Sequence, residues 1–134
     1  MATVVDFGKS VLASTSGSIG ISILPSPQQT LLCQFGLFVP SSGQAQIQGT
    51  LGIQSTQGSP NVQVTLVRNN TQIFTVDTSL AALNAYDDTN FSYVDSNVAQ
   101  GYYSYALLVT VLGTPGANTA SVIGPVSFSG ISFM

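Results

Sequence analysis

The ionisable side chains of this chain, its tyrosines apart, are one thiol, Cys33, two cations, Lys9 and Arg68, and five carboxylates, Asp6, Asp77, Asp87, Asp88 and Asp95. There is no histidine and no glutamate. Nucleophilic catalysis by a hydroxyl or thiol needs an adjacent base, and the usual one is missing. Zinc and redox metals need clustered Cys or His, which one cysteine cannot supply. Asp87, Asp88 and Asp95 are the residues that could gather oxygens around calcium, but their spacing fits no calcium loop, and acidic loop residues are most often simply solvated. A carboxylate pair for glycoside hydrolysis is conceivable among Asp77, Asp87, Asp88 and Asp95. Neighbouring Asp87 and Asp88 diverge in an extended chain, however, and nothing nearby buries them to raise a pKa. The glycines of "GTLGIQ" lie inside a strand pattern with no helix after them, so they cradle no phosphate. The residues therefore predict no enzyme, no catalytic group, no metal and no cofactor.

Binding chemistry is better represented. Tyr86, Tyr93, Tyr102 and Tyr103 surround the Asp-rich segment and could stack on a sugar, with core filling as the plainer reading and no tryptophan to help. Two Asn-x-Ser/Thr triplets begin at Asn69 and Asn90 and carry weight only in a secreted protein. Cys33 falls in the odd-numbered apolar set Leu31, Cys33, Phe35, Leu37 and Val39, the pattern of a small buried hydrophobe. As the lone cysteine it can form no internal disulfide.

Composition narrows the partners. The 134 residues suit one domain with a sizeable core. Apolar residues make up 44 % and charged residues 5 %, against about a quarter charged in ordinary globular chains. A surface with so few charges is either neutral and polar or covered by other copies of the chain, and we favour coverage. A net charge of −3 with two basic residues argues against nucleic acid. The longest apolar run, about "YALLV", is far short of a membrane-spanning helix. "MATVVDFGKSVLAST" lacks the pattern of a secretory signal, so synthesis without a recognisable signal peptide is expected.

Alternation with a period of two dominates the chain. Ile19, Ile21 and Ile23 alternate with Ser18, Gly20 and Ser22, and "PSPQQ" then breaks the strand. Residues 31–39 and 45–54 alternate next, with Gly49 and Gly52 as sites of a bulge or close side-chain approach. "NVQVTLVRNNTQIFTVDT" reads as a hairpin turning at Asn69-Asn70 in type I′ geometry. That register sets Leu66 against Ile73 and Val64 against Thr75, leaving Val67, Phe74 and Val76 on the other face. Two apolar faces suggest a hairpin covered twice, or a register slip. "LAALNAY" is the one plausible helical turn. "GYYSYALLVTVLG" is a long central strand, and the closing "ASVIGPVSFSGISFM" changes apolar phase near Gly130, as at a bulge. This predicts an all-β fold: an antiparallel jelly-roll β-sandwich of about eight strands with an N-terminal extension.

The expected organisation is an arm over residues 1–24, a Pro-containing linker over 25–30 and the sandwich over 31–134. An arm cut off by prolines can add a strand to a neighbour's sheet. Val4, Val5, Phe7, Val11, Leu12, Ile19, Ile21 and Ile23 would be its anchors. A head-to-tail contact of this kind closes into a ring or runs on as a filament. The alternative is that the strand folds back onto its own domain. Strand donation predicts that deleting residues 2–24 leaves a folded, unassembled domain, and that Ile21→Asp harms assembly more than folding.

The segments "QIQGTLGIQS", "VQVTLVRNNTQIFTV", "AQGYYSYALLVTVLG" and "ASVIGPVSFSGISFM" resemble small jelly-roll proteins of the bacterial spore surface, of the exosporium and spore-appendage kind, with a tumour-necrosis-factor-like architecture. The likeness covers about residues 30–134. It implies a non-enzymatic subunit that assembles with itself, and with other spore-surface proteins, into a durable layer or fibre at the spore surface. The appendage proteins carry several cysteines near the N-terminus; this chain does not, so non-covalent contacts would have to hold its assembly together. An oligomeric carbohydrate-binding module and a viral or phage structural protein are the alternative readings.

Overall fold

Strands with a buried side chain at every second position account for most of the computed structural model, which describes residues 3–114 and 116–134. Met1 and Ala2 of the expected arm, and Pro115 of the "TPGANT" turn, lie outside the described residues. Among the described residues the strands are β1 (Val4–Ala13), β2 (Ile21–Ser22), β3 (Thr30–Val39), β4 (Gln44–Gln57), β5 (Asn61–Arg68), β6 (Thr71–Ser79), β7 (Tyr86–Asp95), β8 (Gly101–Leu112) and β9 (Thr119–Phe133). One sheet has the order β1-β9-β4-β7, with β2 also on β9, and the other has the order β3-β8-β5-β6. Every strand pairing is antiparallel. The eight long strands thus distribute between two sheets in jelly-roll order, as the alternation predicts.

The core lies between the sheets. Leu37, Ile47, Leu51, Ile53, Leu66, Tyr105, Leu107 and Phe128 are fully buried, each large side chain contributing about 1.5–3 kcal/mol of apolar transfer. The expected alternation of β8 holds, with Tyr105, Leu107, Val109 and Val111 all buried. Gly49 lies under the Phe91 ring, and Gly52 lies against the Gly124 carbonyl beside a register shift between β4 and β9. Both glycines therefore mark close approaches.

The hairpin turns at Asn69 and Asn70, with φ of 46° and 69°, as a type I′ turn requires. Its register is corrected by an irregularity between Leu66 and Val67: Leu66 stands opposite Phe74 and Val64 opposite Val76. The one-residue slip turns Phe74 and Val76 to the same face as Val64 and Leu66. The two apolar faces of the sequence come from this slip, which removes double coverage as their explanation. "LAALNAY" forms a turn through Asn84, at φ 64°, instead of a helical turn.

Residues 3–30 run along the sandwich. β1 lies along β9 from Val4 opposite Phe133 to Ala13 opposite Val126. Ile21 stands opposite Val122, and the Ile23 amide donates to the Ala120 carbonyl at 3.1 Å. One residue later the Val111 amide donates to the Leu24 carbonyl at 3.1 Å, and the Ser26 amide to Val111 at 2.8 Å. Between Ile23 and Leu24 the backbone therefore crosses from one sheet to the other and closes the end of the sandwich. Ile23 is buried, while Ile19 and Ile21 pack partly buried against the core. Within this single chain the three isoleucines thus pack on their own sandwich, the fold-back alternative to a donated strand. Pro25 and Pro27 mark a crossing between sheets, which needs a break in the ladder as a detached arm would.

Candidate functional site

β1 has its polarity reversed. Its inward positions are Asp6, Gly8 and Ser10, while Val4, Phe7 and Val11 point to solvent at 62 %, 58 % and 54 % exposure. Phe35 of β3 causes this: a Cβ at Gly8 would lie 2.5 Å from Phe35 Cδ1 and 2.7 Å from the Gly36 carbonyl. The Asp6 carboxylate accepts from the Phe7 amide at 2.9 Å and the Phe38 amide at 2.8 Å, bridging the β1 and β3 edges. Ser10 and the Leu12 backbone hydrogen-bond the Cys33 thiol, and burial outweighs them and pushes that thiol up from its ordinary pKa. Small and polar groups thus fill the space inside β1, and the large apolar groups are left outside.

β9 makes the same reversal at the same end. Val126 and Phe128 face inward, but Gly130 and Ser132 continue the inward series, so Ile131 and Phe133 face outward. The ladder runs through Gly130 without a shift on either side. The phase change in the sequence is therefore a change of apolar face, which corrects the expected bulge. A Cβ at Gly130 would meet Ile47 Cδ1 at 2.7 Å and Phe35 Cζ at 2.8 Å. Across the ladder Val4 stands opposite Phe133, and Phe7 opposite Ile131.

The result is an apolar strip on the outer face of the five-stranded sheet. Val5 and Leu12 are exposed at its ends, beside two register shifts. Of the residues expected as anchors, the structure gathers Val4, Val5, Phe7, Val11 and Leu12 on this edge. It separates from them Ile19, Ile21 and Ile23. Next to the strip lies a shallow depression of about 450 Å³, lined by neutral polar side chains that include Gln48, Thr50, Asn90, Ser92, Ser127 and Ser129. Thr50 donates to Asn90 at 2.8 Å, and the Gln46 amide to Ser92 at 3.4 Å.

The carboxylates do not converge. Asp95 is 3 % exposed; Arg68 Nη1 lies 2.6 Å from it, and the Tyr105 hydroxyl donates to its Oδ2 at 2.8 Å. The Arg68 guanidinium also sits 5.8 Å from the Tyr103 ring centroid. The hydrogen bond to Asp95 raises the Arg68 pKa, and burial followed by the same carboxylate raises that of Tyr105. Such a closed cluster ties β5, β7 and β8 together and leaves no carboxylate oxygen facing a ligand. Asp87 and Asp88 are exposed at the opposite end of β7, where Asp88 accepts from the Tyr86 hydroxyl at 2.5 Å.

The tyrosines are dispersed too. Tyr93 stacks on Phe74 with centroids 5.1 Å apart, and Tyr103 donates to the Ala99 carbonyl at 2.6 Å. Tyr102 is 70 % exposed on the other sheet, its ring over Gly36. Tyr86 and Tyr102 therefore share no platform.

Comparison with known proteins sets this geometry in context. No family model matches the chain, and no curated protein matches it. Among solved structures, the chain is similar to one in the structure of infectious bursal disease virus, Gt strain, with a TM-score of 0.55 and 13 % identity over 96 % of its own length. What the two share is the fold. The present chain spans 37 % of the length of that viral chain.

Sequence reasoning missed Ile131, Phe133 and Lys9 as members of the outer face. The signal was present: the shift of apolar phase at Gly130 has the same parity as Phe7 and Val11 once β1 and β9 are paired.

Proposed function

We propose that this chain is a non-enzymatic structural subunit that assembles with copies of itself into a shell, layer or fibre. The observation that carries the reading is the paired reversal of β1 and the end of β9. A sheet edge that turns Val4, Phe7, Val11, Ile131 and Phe133 outward gains apolar burial only when something covers it. The low overall charge supports the same reading, since mixed surface charge ordinarily keeps subunits apart. Resemblance to spore-surface jelly rolls supports a bacterial spore layer as the setting, with other spore-surface proteins as further partners. The similarity in fold to a chain of a virus structure supports a second setting, a viral shell. In either setting the partner is protein, with no nucleic acid and no membrane.

Negative-stain electron microscopy and analytical ultracentrifugation of the purified chain test the reading, with Phe7→Asp beside it. Repeating assemblies from the unaltered chain and dispersed, folded particles from the variant are the expected result. A monodisperse monomer at high concentration would overturn the proposal. Glycan affinity lost on Tyr102→Ala, without assembly, would favour the carbohydrate-binding alternative.

A further inference from the structure

Resting on the assembly reading, we infer that the contact is head to tail, with the β1 edge of one copy lying against the β7 edge of the next and Lys9 meeting Asp88. Three observations converge on a second copy as the occupant. The first is charge. Among the described residues the one ion pair is Arg68 with Asp95. Lys9 is left exposed in the middle of β1, while Asp77, Asp87 and Asp88 are exposed at the β6 and β7 edge, on the other side of the sandwich. Among the described side chains, the one unpaired cation and three of the four remaining carboxylates therefore sit on opposite edges of the same molecule; the fourth, Asp6, is half-buried on β1 and holds the Phe7 and Phe38 amides. This separation is the arrangement in which a copy complements its neighbour and not itself.

The second observation is apolar surface on both edges. Exposed large apolar residues cluster on β1, and a second group, Leu83, Tyr86 and Val94, lies on or beside β7. The third is strand direction. β1 and β7 end the order β1-β9-β4-β7, and each neighbouring pair is antiparallel, so the two edge strands run in opposite directions. A copy placed in the same orientation beside the first brings its β1 antiparallel to β7. With Lys9 opposite Asp88, the antiparallel register sets Val11 opposite Tyr86. All four side chains then stand on the outer face, where odd residues of β1 and even residues of β7 point. Repetition of this step gives a ring or an open fibre.

Charge reversal distinguishes this inference from the broader reading. Lys9→Asp and Asp88→Lys should each raise the concentration needed for assembly by about tenfold or more, and the double variant should return it close to the original value, as expected for like charges juxtaposed and then relieved. Raising the salt concentration should weaken assembly of the unaltered chain. The paired substitutions Val11→Cys and Tyr86→Cys should give disulfide-linked ladders on oxidation. Assembly that persists in both single variants, or a double variant as defective as the singles combined, would overturn the inference and leave the assembly reading standing. Cross-linking of Val11→Cys alone into dimers would overturn it in favour of a two-fold contact. If the unaltered chain does not assemble, both readings fail.

Discussion

Phe7 stands directly opposite Ile131 across the β1–β9 ladder, and both side chains face away from the core. In most half-buried sheets the opposite parity is apolar. Here Phe35, reaching across from β3, occupies the inward space at Gly8 and Gly130. The outward phenylalanine is thus a packing consequence of the inward one.

Substituting Phe7 by Ser should separate assembly from folding. With its side chain mostly in water, the change should alter the unfolding free energy from urea titration by no more than about 0.5 kcal/mol, while self-association weakens at least severalfold in sedimentation velocity. A large loss of stability would mean that Phe7 belongs to the core.

Ile23→Ala should act the other way. Ile23 is buried where the chain crosses between sheets, so the truncation should lower unfolding free energy by about 2–5 kcal/mol. Denaturant titration checks it. For the same reason, deletion of residues 2–24 should leave a destabilised chain in place of the intact, unassembled domain that a detachable arm predicts.

Alkaline pH should destabilise the protein through Tyr105. Its pKa is raised from 10.0 in the folded state, by burial first and by the bond to Asp95 second. The folded chain therefore keeps a proton that the unfolded chain releases above about pH 10. The stability is fully present below that value and falls as pH rises beyond it. Urea midpoints measured across this range should decline, and Tyr105→Phe should flatten the decline while lowering stability at neutral pH by about 1–3 kcal/mol through the lost charge-assisted bond.

Gly52→Ala should be poorly tolerated. The Gly124 carbonyl, a backbone group, occupies the place of the new Cβ, so the β4–β9 ladder must shift, at a cost of about 1–3 kcal/mol. Differential scanning calorimetry should show a lower midpoint for Gly52→Ala than for Gly20→Ala, because nothing lies near Gly20.

By itself, the sequence determined the layer architecture and the paucity of reaction chemistry. Period-two alternation in β3, β4 and β8 is a local property, since each residue's face follows from the pleat alone, and the Asn69-Asn70 turn follows from φ preferences of two adjacent residues. The lack of histidine and the single cysteine are readable without any structure. Register and partner choice were decided by the tertiary structure. The slip at Leu66 and Val67, the crossing at Ile23 and Leu24, and the outward turn of Phe7 and Ile131 each depend on a group distant in sequence, such as Val111 or Phe35. Alternation says that two faces differ, but which face is inside depends on the volume the opposite sheet has already filled. That volume is a property of the packed sandwich, where close packing leaves room for one of the two parities and sends the other to the surface.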